Sequence, residues 1–230
     1  MFHRLPPFPP LSVLILVNVA VPLSRTYGII TCKCIAGKLS ECANFNFTIS
    51  FIFAYMSEIT FNQYPQFFTA TILEWKHLLA DEKMKDIIIN SLQFLVNDGR
   101  VIIYGFVIMP NHIHLIWQIQ DKFEKAKVQQ SFLKFTAQQM KFQLKANDPI
   151  KLEQYKVNAS DREYQFWERN PLSIDLWSRH VFLQKLVYLH TNPTQPHWML
   201  CTYPEEYKYS SASFYEKGVN EFGFLSHYLG

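Results

Sequence analysis

The chain has 230 residues, 22 basic and 19 acidic side chains for a formal charge of +3, and 49% apolar residues. That is too apolar for a disordered protein and not apolar enough for a polytopic membrane protein. With 18% charged and 16% aromatic residues, a solvated coiled coil is also excluded, and so mild a positive charge permits a nucleic-acid partner without demanding one.

Residues 1–55 stand apart. They hold Arg4, Arg25, Lys33, Lys38 and Glu41 as their only charges, and three of the four cysteines, Cys32, Cys34 and Cys42. Arg4 followed by the apolar run Leu11–Leu23 has the order of a secretory signal, but Pro6, Pro7, Pro9 and Pro10 intervene and no A-x-A site follows. The run is also shorter than the roughly 20 residues needed to cross a bilayer. Cys-x-Cys with Cys42 points weakly to a metal or a disulfide, for want of a fourth partner nearby. The remaining reading treats 1–55 as an atypical leader upstream of a natural start at Met56. The expected organisation is then 1–55 leader, 56–217 domain and 218–230 C-terminal tail.

From Met56 onward the periodicities become clean. Phe67-Phe68-Thr69-Ala70-Thr71-Ile72-Leu73 has strand content. Asp81 caps a helix in which Met84, Ile87, Ile88, Ser91, Leu92 and Leu95 recur at helical spacing, and Asn97-Asp98-Gly99 stops it. Val101–Met109 is a nearly all-apolar strand, as at the centre of a covered sheet. Pro110-Asn111 turns the chain, and His112–Ile119 returns as the hairpin partner. A long helix is expected from about Glu124 to Lys145, with Phe132, Phe135 and Phe142 as core. A short strand near Gln165–Arg169 and a last helix from about Arg179 to Asn192 complete the unit. This order predicts an α+β fold, a ferredoxin-like antiparallel sheet with helices packed on one face.

Within His112-Ile113-His114, residues two apart on a strand share a face, so both imidazoles project together. They form either a pair of ligands for a divalent cation or two histidines on an exposed hairpin face; the pair needs a third ligand. The last helix can offer one. On a helical wheel Gln184, Lys185 and Asn192 share the side of Tyr188, while Leu183, Leu186, Val187 and His190 lie opposite and read as core. Tyr188 and Asn192 are one turn apart, although Pro193 biases Asn192 away from helical geometry. From the helix alone, Tyr188 is as well read as a buried structural tyrosine.

These residues carry a resemblance. Val107–Ile116 (VIMPNHIHLI) is similar to the H-hydrophobic-H (HUH) signature of single-tyrosine transposases. Leu186–Pro193 (LVYLHTNP) looks like their catalytic helix, in which a tyrosine is followed four residues later by an amide and then proline. Phe166-Trp167-Glu168-Arg169 and Pro204–Ser211 (PEEYKYSS) resemble flanking blocks of the branch associated with repetitive extragenic palindromes, the REP-associated tyrosine transposases. The resemblance runs from about Ser57 to Tyr215, so residues 1–55 have no counterpart in it. His190 and Thr191, and the segment Thr194-Gln195-Pro196-His197, depart from the pattern; His190 is an alternative ligand.

The resemblance implies a DNA transposase of the bacterial cytoplasm and nucleoid, acting on single-stranded or hairpin DNA as a monomer or homodimer, with no membrane partner. His112, His114 and Asn192 would hold Mg²⁺ or Mn²⁺. Tyr188 would attack the scissile phosphate, giving a 5′-phosphotyrosine link and a free 3′-hydroxyl. Lys185 is placed to favour the phenolate. For DNA contacts, Lys127, Lys134, Lys141 and Lys145 form a basic stripe on the long helix, which reads as phosphate binding or as a solvated face. Arg169 and Arg179 are candidate backbone clamps. Tyr207, Tyr209, Phe214 and Tyr215, interleaved with Lys208 and Lys217, either stack unpaired bases or pack a tail on the domain. Other readings stay open: a replication initiator or relaxase, an inactive hairpin-binding descendant, or a metal phosphohydrolase that does not use Tyr188.

Overall fold

The structure, a computed structural model, describes residues 64–230 throughout and, before them, only two strands: β1 (Ala20–Leu23) and β2 (Thr26–Ile29), paired antiparallel. The chain divides into two compact units, Met1–Ile59 and Thr60–Gly230. Cys32, Cys34, Cys42 and the expected start at Met56 lie outside the described residues.

In the second unit, alternation along β3 (Gln66–Thr71) sends Phe68 and Ala70 into one core and Phe67 into another. Asp81 caps α1 (Glu82–Asn97), its carboxylate accepting from the Lys83 amide at 2.9 Å, worth about 1 kcal/mol. Gly99, at φ 65°, makes the turn after that helix. β4 (Val101–Ile108) and β5 (His112–Ile119) form the expected hairpin. α2 (Lys125–Asn147) and the short α3 (Pro149–Glu153) follow, then β6 (Leu172–Asp175), α4 (Arg179–Thr191) and α5 (Ala212–Lys217). The sheet order is β4-β5-β3-β6, antiparallel throughout, so the expected α+β antiparallel class stands. Among the described residues no helix is long and apolar enough to cross a membrane.

The layers are more specific than the class. α1 and α2 share one face, burying Met84, Ile88, Leu92, Phe132 and Met140 against Phe68, Ile113, Leu115 and Trp117. α4 covers the other face, where Phe182, Leu186 and Leu189 meet Phe67, Val107, Met109 and Ile116. Helices on one face therefore holds for α1 and α2, and the tyrosine helix lies opposite them.

Other expectations need correction. The strand expected at Gln165–Arg169 is instead β6, at Leu172–Asp175. Phe166 and Trp167 sink into the core, Trp167 donates its indole N–H to Thr136 Oγ1 at 3.0 Å, and its backbone makes one isolated bridge to Ile72. Asn170 (φ 59°) then redirects the chain before β6 pairs with β3. On α2, Phe132 is core but Phe135 and Phe142 are about half exposed. The buried positions there (128, 132, 136, 140, 144) advance by four, so the core line winds by about 40° per step, away from both phenylalanines. On α4, Val187 is 60% exposed and Leu189 takes its place in the core.

The C-terminal aromatics pack on the domain. Tyr209 is buried and donates to Asp86 Oδ1 at 2.9 Å, and Tyr207 and Tyr215 donate to the carbonyls of Ile108 and Tyr104. Within 218–230, Phe222 and Phe224 pack on Phe106 of β4, Phe224 is buried, and the Ser226 amide donates to Ile103 O at 2.9 Å.

Candidate active site

Pairing with β3 sets His112 opposite Thr71 and His114 opposite Thr69. Both imidazoles are buried on the α4 side of the sheet, 7% and 5% exposed, with ring centroids 4.7 Å apart, while Ile113 enters the other core. Asn111, at the hairpin tip, fixes the tautomer of His112. Its Nδ2 donates to Trp75 O at 3.3 Å, which turns its Oδ1 toward His112 Nδ1 at 2.7 Å. An amide oxygen only accepts, so His112 carries its proton on Nδ1 and leaves the Nε2 lone pair free. His114 Nδ1 lies 2.7 Å from Thr69 Oγ1, and its Nε2 is buried with no hydrogen-bond partner. An orphaned buried ring nitrogen is a place where a ligand belongs.

Electrostatics act in the same direction. Burial, aided by nearby His197, pushes His112 down to about 4. Burial, followed by His112 and Lys185, pushes His114 down to about 3. Both rings are neutral at neutral pH, the state in which imidazole donates a lone pair to a cation.

The tyrosine comes from α4. Ser178 caps the helix, accepting from the Val181 amide at 3.2 Å. Gly105 on β4 admits it closely: a Cβ there would lie 2.9 Å from Leu186 Cδ1. Tyr188 is 49% exposed, with its ring edge-on to His114 at 5.3 Å and to Phe67 at 5.9 Å. Lys185 Nζ lies 4.9 Å from the Phe67 ring centroid and 5.6 Å from that of Tyr188. Asn192 keeps helical angles (φ −56°, ψ −46°) in spite of Pro193, because α4 tightens there into a 3₁₀ turn, Asn192–Thr194.

His112, His114, Tyr188 and Asn192 line one cleft of about 480 Å³. Thr69 and Thr71 form its floor, and Trp75, Gln195, His197 and Trp198, none of them expected, complete its wall. Trp75 lies in a turn without periodicity; Gln195 and His197 fall in the segment after Pro193 that departs from the transposase pattern, and Trp198 follows it. The turn at Trp75 is strained, since Glu74 and Trp75 have φ 55° and 56°, at about 1 kcal/mol or more each. The Glu74 amide donates to Glu168 Oε1 at 2.7 Å, and Asn111 holds the Trp75 carbonyl. Among the described residues no group of three or more His, Cys, Asp or Glu side chains converges to hold a metal. A cation in this cleft would have to rest on two imidazoles completed by neutral oxygens such as that of Asn192.

Of the cations expected to act on the phenolate or on DNA, only Lys185 flanks the cleft. Lys134, Lys141 and Lys145 stand on α2, across the sheet, and Lys141 lies 3.9 Å from Glu163 and over the Tyr164 ring. Arg169 is exposed just past Glu168. Arg179 is at the start of α4, about 13 Å along the axis from Tyr188, with its guanidinium 5.9 Å from the Tyr228 ring. His190, the alternative ligand, is turned away: its Nε2 is 2.8 Å from Ser211 Oγ and its ring 5.4 Å from that of Tyr215.

No protein-family model matches the chain, and no curated protein matches it. Among solved structures, a REP-associated tyrosine transposase bound to a REP hairpin shares the fold, with a TM-score of 0.50 and 13% identity over 71% of this chain and 86% of that one. A candidate transposase from Deinococcus radiodurans R1 aligns with a TM-score of 0.37 and 14% identity over 56% of this chain and 91% of that one.

Proposed function

We propose that this chain is a single-tyrosine DNA transposase that cleaves and rejoins single-stranded DNA at hairpin sites, with Tyr188 as the nucleophile. The observation behind it is the convergence, within one chain, of a half-exposed tyrosine with two buried neutral histidines and a buried asparagine in one cleft. The shared fold with a hairpin-bound transposase supports DNA as the substrate.

The residues present fit a divalent cation, because His114 Nε2 is orphaned and His112 is held with its Nε2 lone pair free. His112, His114 and Asn192 would hold Mg²⁺ or Mn²⁺, which when bound supplies Lewis-acid charge to the scissile phosphate. Tyr188 Oη attacks phosphorus, the bond to the 3′ oxygen breaks, and the strand leaves with a 3′-hydroxyl. The resulting 5′-phosphotyrosine conserves the phosphodiester energy, so a second 3′-hydroxyl can reverse the step and join new ends. The Lys185 ammonium lies beside the Tyr188 ring, 5.6 Å from its centroid, placed to offset charge on the attacked phosphate. Tyr188 lies beside its own chain's His114, which favours a site assembled within one copy.

The test uses labelled single-stranded hairpin oligonucleotides from the flanking genomic DNA, with and without Mn²⁺, read as a denaturation-resistant protein–DNA adduct. A metal-dependent adduct lost in Tyr188→Phe and in His112→Ala is expected. Tight binding without adduct identifies an inactive hairpin binder, and cleavage that survives Tyr188→Phe identifies a phosphohydrolase.

A further inference from the structure

The mechanism above uses the part of the cleft around Tyr188 and His114 and leaves its aromatic wall without a role. Trp75 and Trp198 both pack on His112, with ring centroids 6.3 and 6.0 Å from it. Trp198 is further braced by His77 and His197, at 5.8 and 5.6 Å. Among the described residues Trp75 has no such bracing. Its indole is 62% exposed, on the rim of the cleft.

The backbone under Trp75 accounts for that exposure. Two consecutive residues with side chains, Glu74 and Trp75, occupy the left-handed region, where glycine would be at ease. The turn is nevertheless pinned: the Trp75 amide donates to Ile72 O at 2.9 Å, its carbonyl accepts from Asn111, and Glu74 is held by Glu168. Strain retained by several contacts and presenting a large apolar ring to solvent is the signature of a functional position. The same Asn111 side chain holds both this turn and His112, so the indole is kept in register with the imidazole.

We propose that Trp75 and Trp198 form a stacking site for one unpaired nucleobase beside the reacting phosphate. This rests on the reading of the cleft as a DNA-processing site. Indole faces suit the task because every base has a π-face, so the site takes a base without requiring one sequence. It positions the strand, and the chemistry stays with Tyr188.

The test is an equilibrium binding measurement on the full chain carrying Tyr188→Phe, without metal, so that no strand cleavage is involved. The probes are a fluorescein-labelled dT octamer and the same phosphodiester backbone made wholly of abasic sites. The expected result is roughly tenfold tighter binding of the octamer with bases, the scale of one or two aromatic stacks. That preference falls severalfold in Trp75→Leu and in Trp198→Leu, while binding of the abasic strand is unchanged. Trp75 is exposed, so its substitution leaves the core intact; Trp198→Phe, which keeps a ring, retains the preference and controls for misfolding. Equal affinity for the two probes overturns the proposal, as does a loss from Trp75→Leu that affects both probes alike. Adduct formation in the cleavage assay with no base preference here removes the stacking site alone. Base preference without any adduct keeps the stacking site and removes the tyrosine chemistry.

Discussion

Tyr188 meets His114 edge to face within a single chain, ring centroids 5.3 Å apart and planes at 65°. The contact joins the exposed side of α4 to the buried centre of β5, and it sets where a phenol oxygen can act relative to the paired imidazoles. Phe67 stacks on His114 at 5.1 Å and also meets the Tyr188 ring at 5.9 Å, so the three rings form one packed cluster before any substrate arrives.

Removing only the phenol oxygen separates packing from chemistry. Tyr188→Phe keeps the edge contact with His114 and, at a half-exposed position, changes stability by no more than about 0.5 kcal/mol. Adduct formation is expected to fall on the order of a thousandfold or more, as for loss of a covalent nucleophile. Thermal melting alongside the adduct gel checks both; a variant that still forms adduct removes Tyr188 from the mechanism.

Asn111 is a positioning residue for His112. Asn111→Ala takes away the acceptor that keeps the proton on Nδ1 and the donor that holds the Trp75 turn. Loss of such a partner typically weakens metal binding by about 10–100-fold. Calorimetric titration with Mn²⁺ measures this directly, and unchanged affinity would show that His112 is oriented by burial alone.

At Gly105 α4 comes close to the sheet. In Gly105→Ala the new methyl meets Leu186 Cδ1 at 2.9 Å, an overpacking that costs about 1–3 kcal/mol. Because Leu186 and Tyr188 share one helix, relief of the clash displaces the tyrosine. A lowered melting temperature together with slower adduct formation is expected, and an unaffected adduct rate would show that α4 yields without moving Tyr188.

Stability of the metal-free protein should depend on pH through its buried histidines. Burial holds His190 down to about 4, below the ordinary value near 6.5. Between those values the unfolded chain binds more protons than the folded one. The contribution is therefore complete above about pH 6.5 and is lost as pH falls toward 4, on the order of 2–3 kcal/mol for this group. His112 and His114 shift in the same direction. Denaturant melts in EDTA from pH 7.5 to 4.5 should show the decline. His190→Gln, whose amide nitrogen can keep the bond to Ser211, should flatten it; an equally steep decline in the variant would take His190 out of the account.

Local pattern carried a large part of this architecture. α1, the β4–β5 hairpin and the limits of α4 follow from periodicity, capping and turn residues, which act between near neighbours in sequence. The pairing of His112 with His114, and of Tyr188 with Asn192, was legible for the same reason, since strand and helix repeats put each pair on one face. β6 was misplaced because Phe166 and Trp167 look like strand residues but are drawn into the core. Val187 was misread because α4 is apolar on more than one side, and no wheel chooses among those sides without the sheet beneath it.

Tertiary structure decided the rest. It put α4 on the face opposite α1 and α2, and so laid Tyr188 over its own histidines. It left the α2 lysines across the sheet, and it brought in Asn111, Trp75 and Trp198 from turns that carry no repeat. By itself the sequence determined which side chains share an element's face, because that depends on backbone geometry over a few residues. Which faces then meet depends on the burial of apolar surface between distant segments, here through the close approach of Leu186 to Gly105, and only the folded chain settles that.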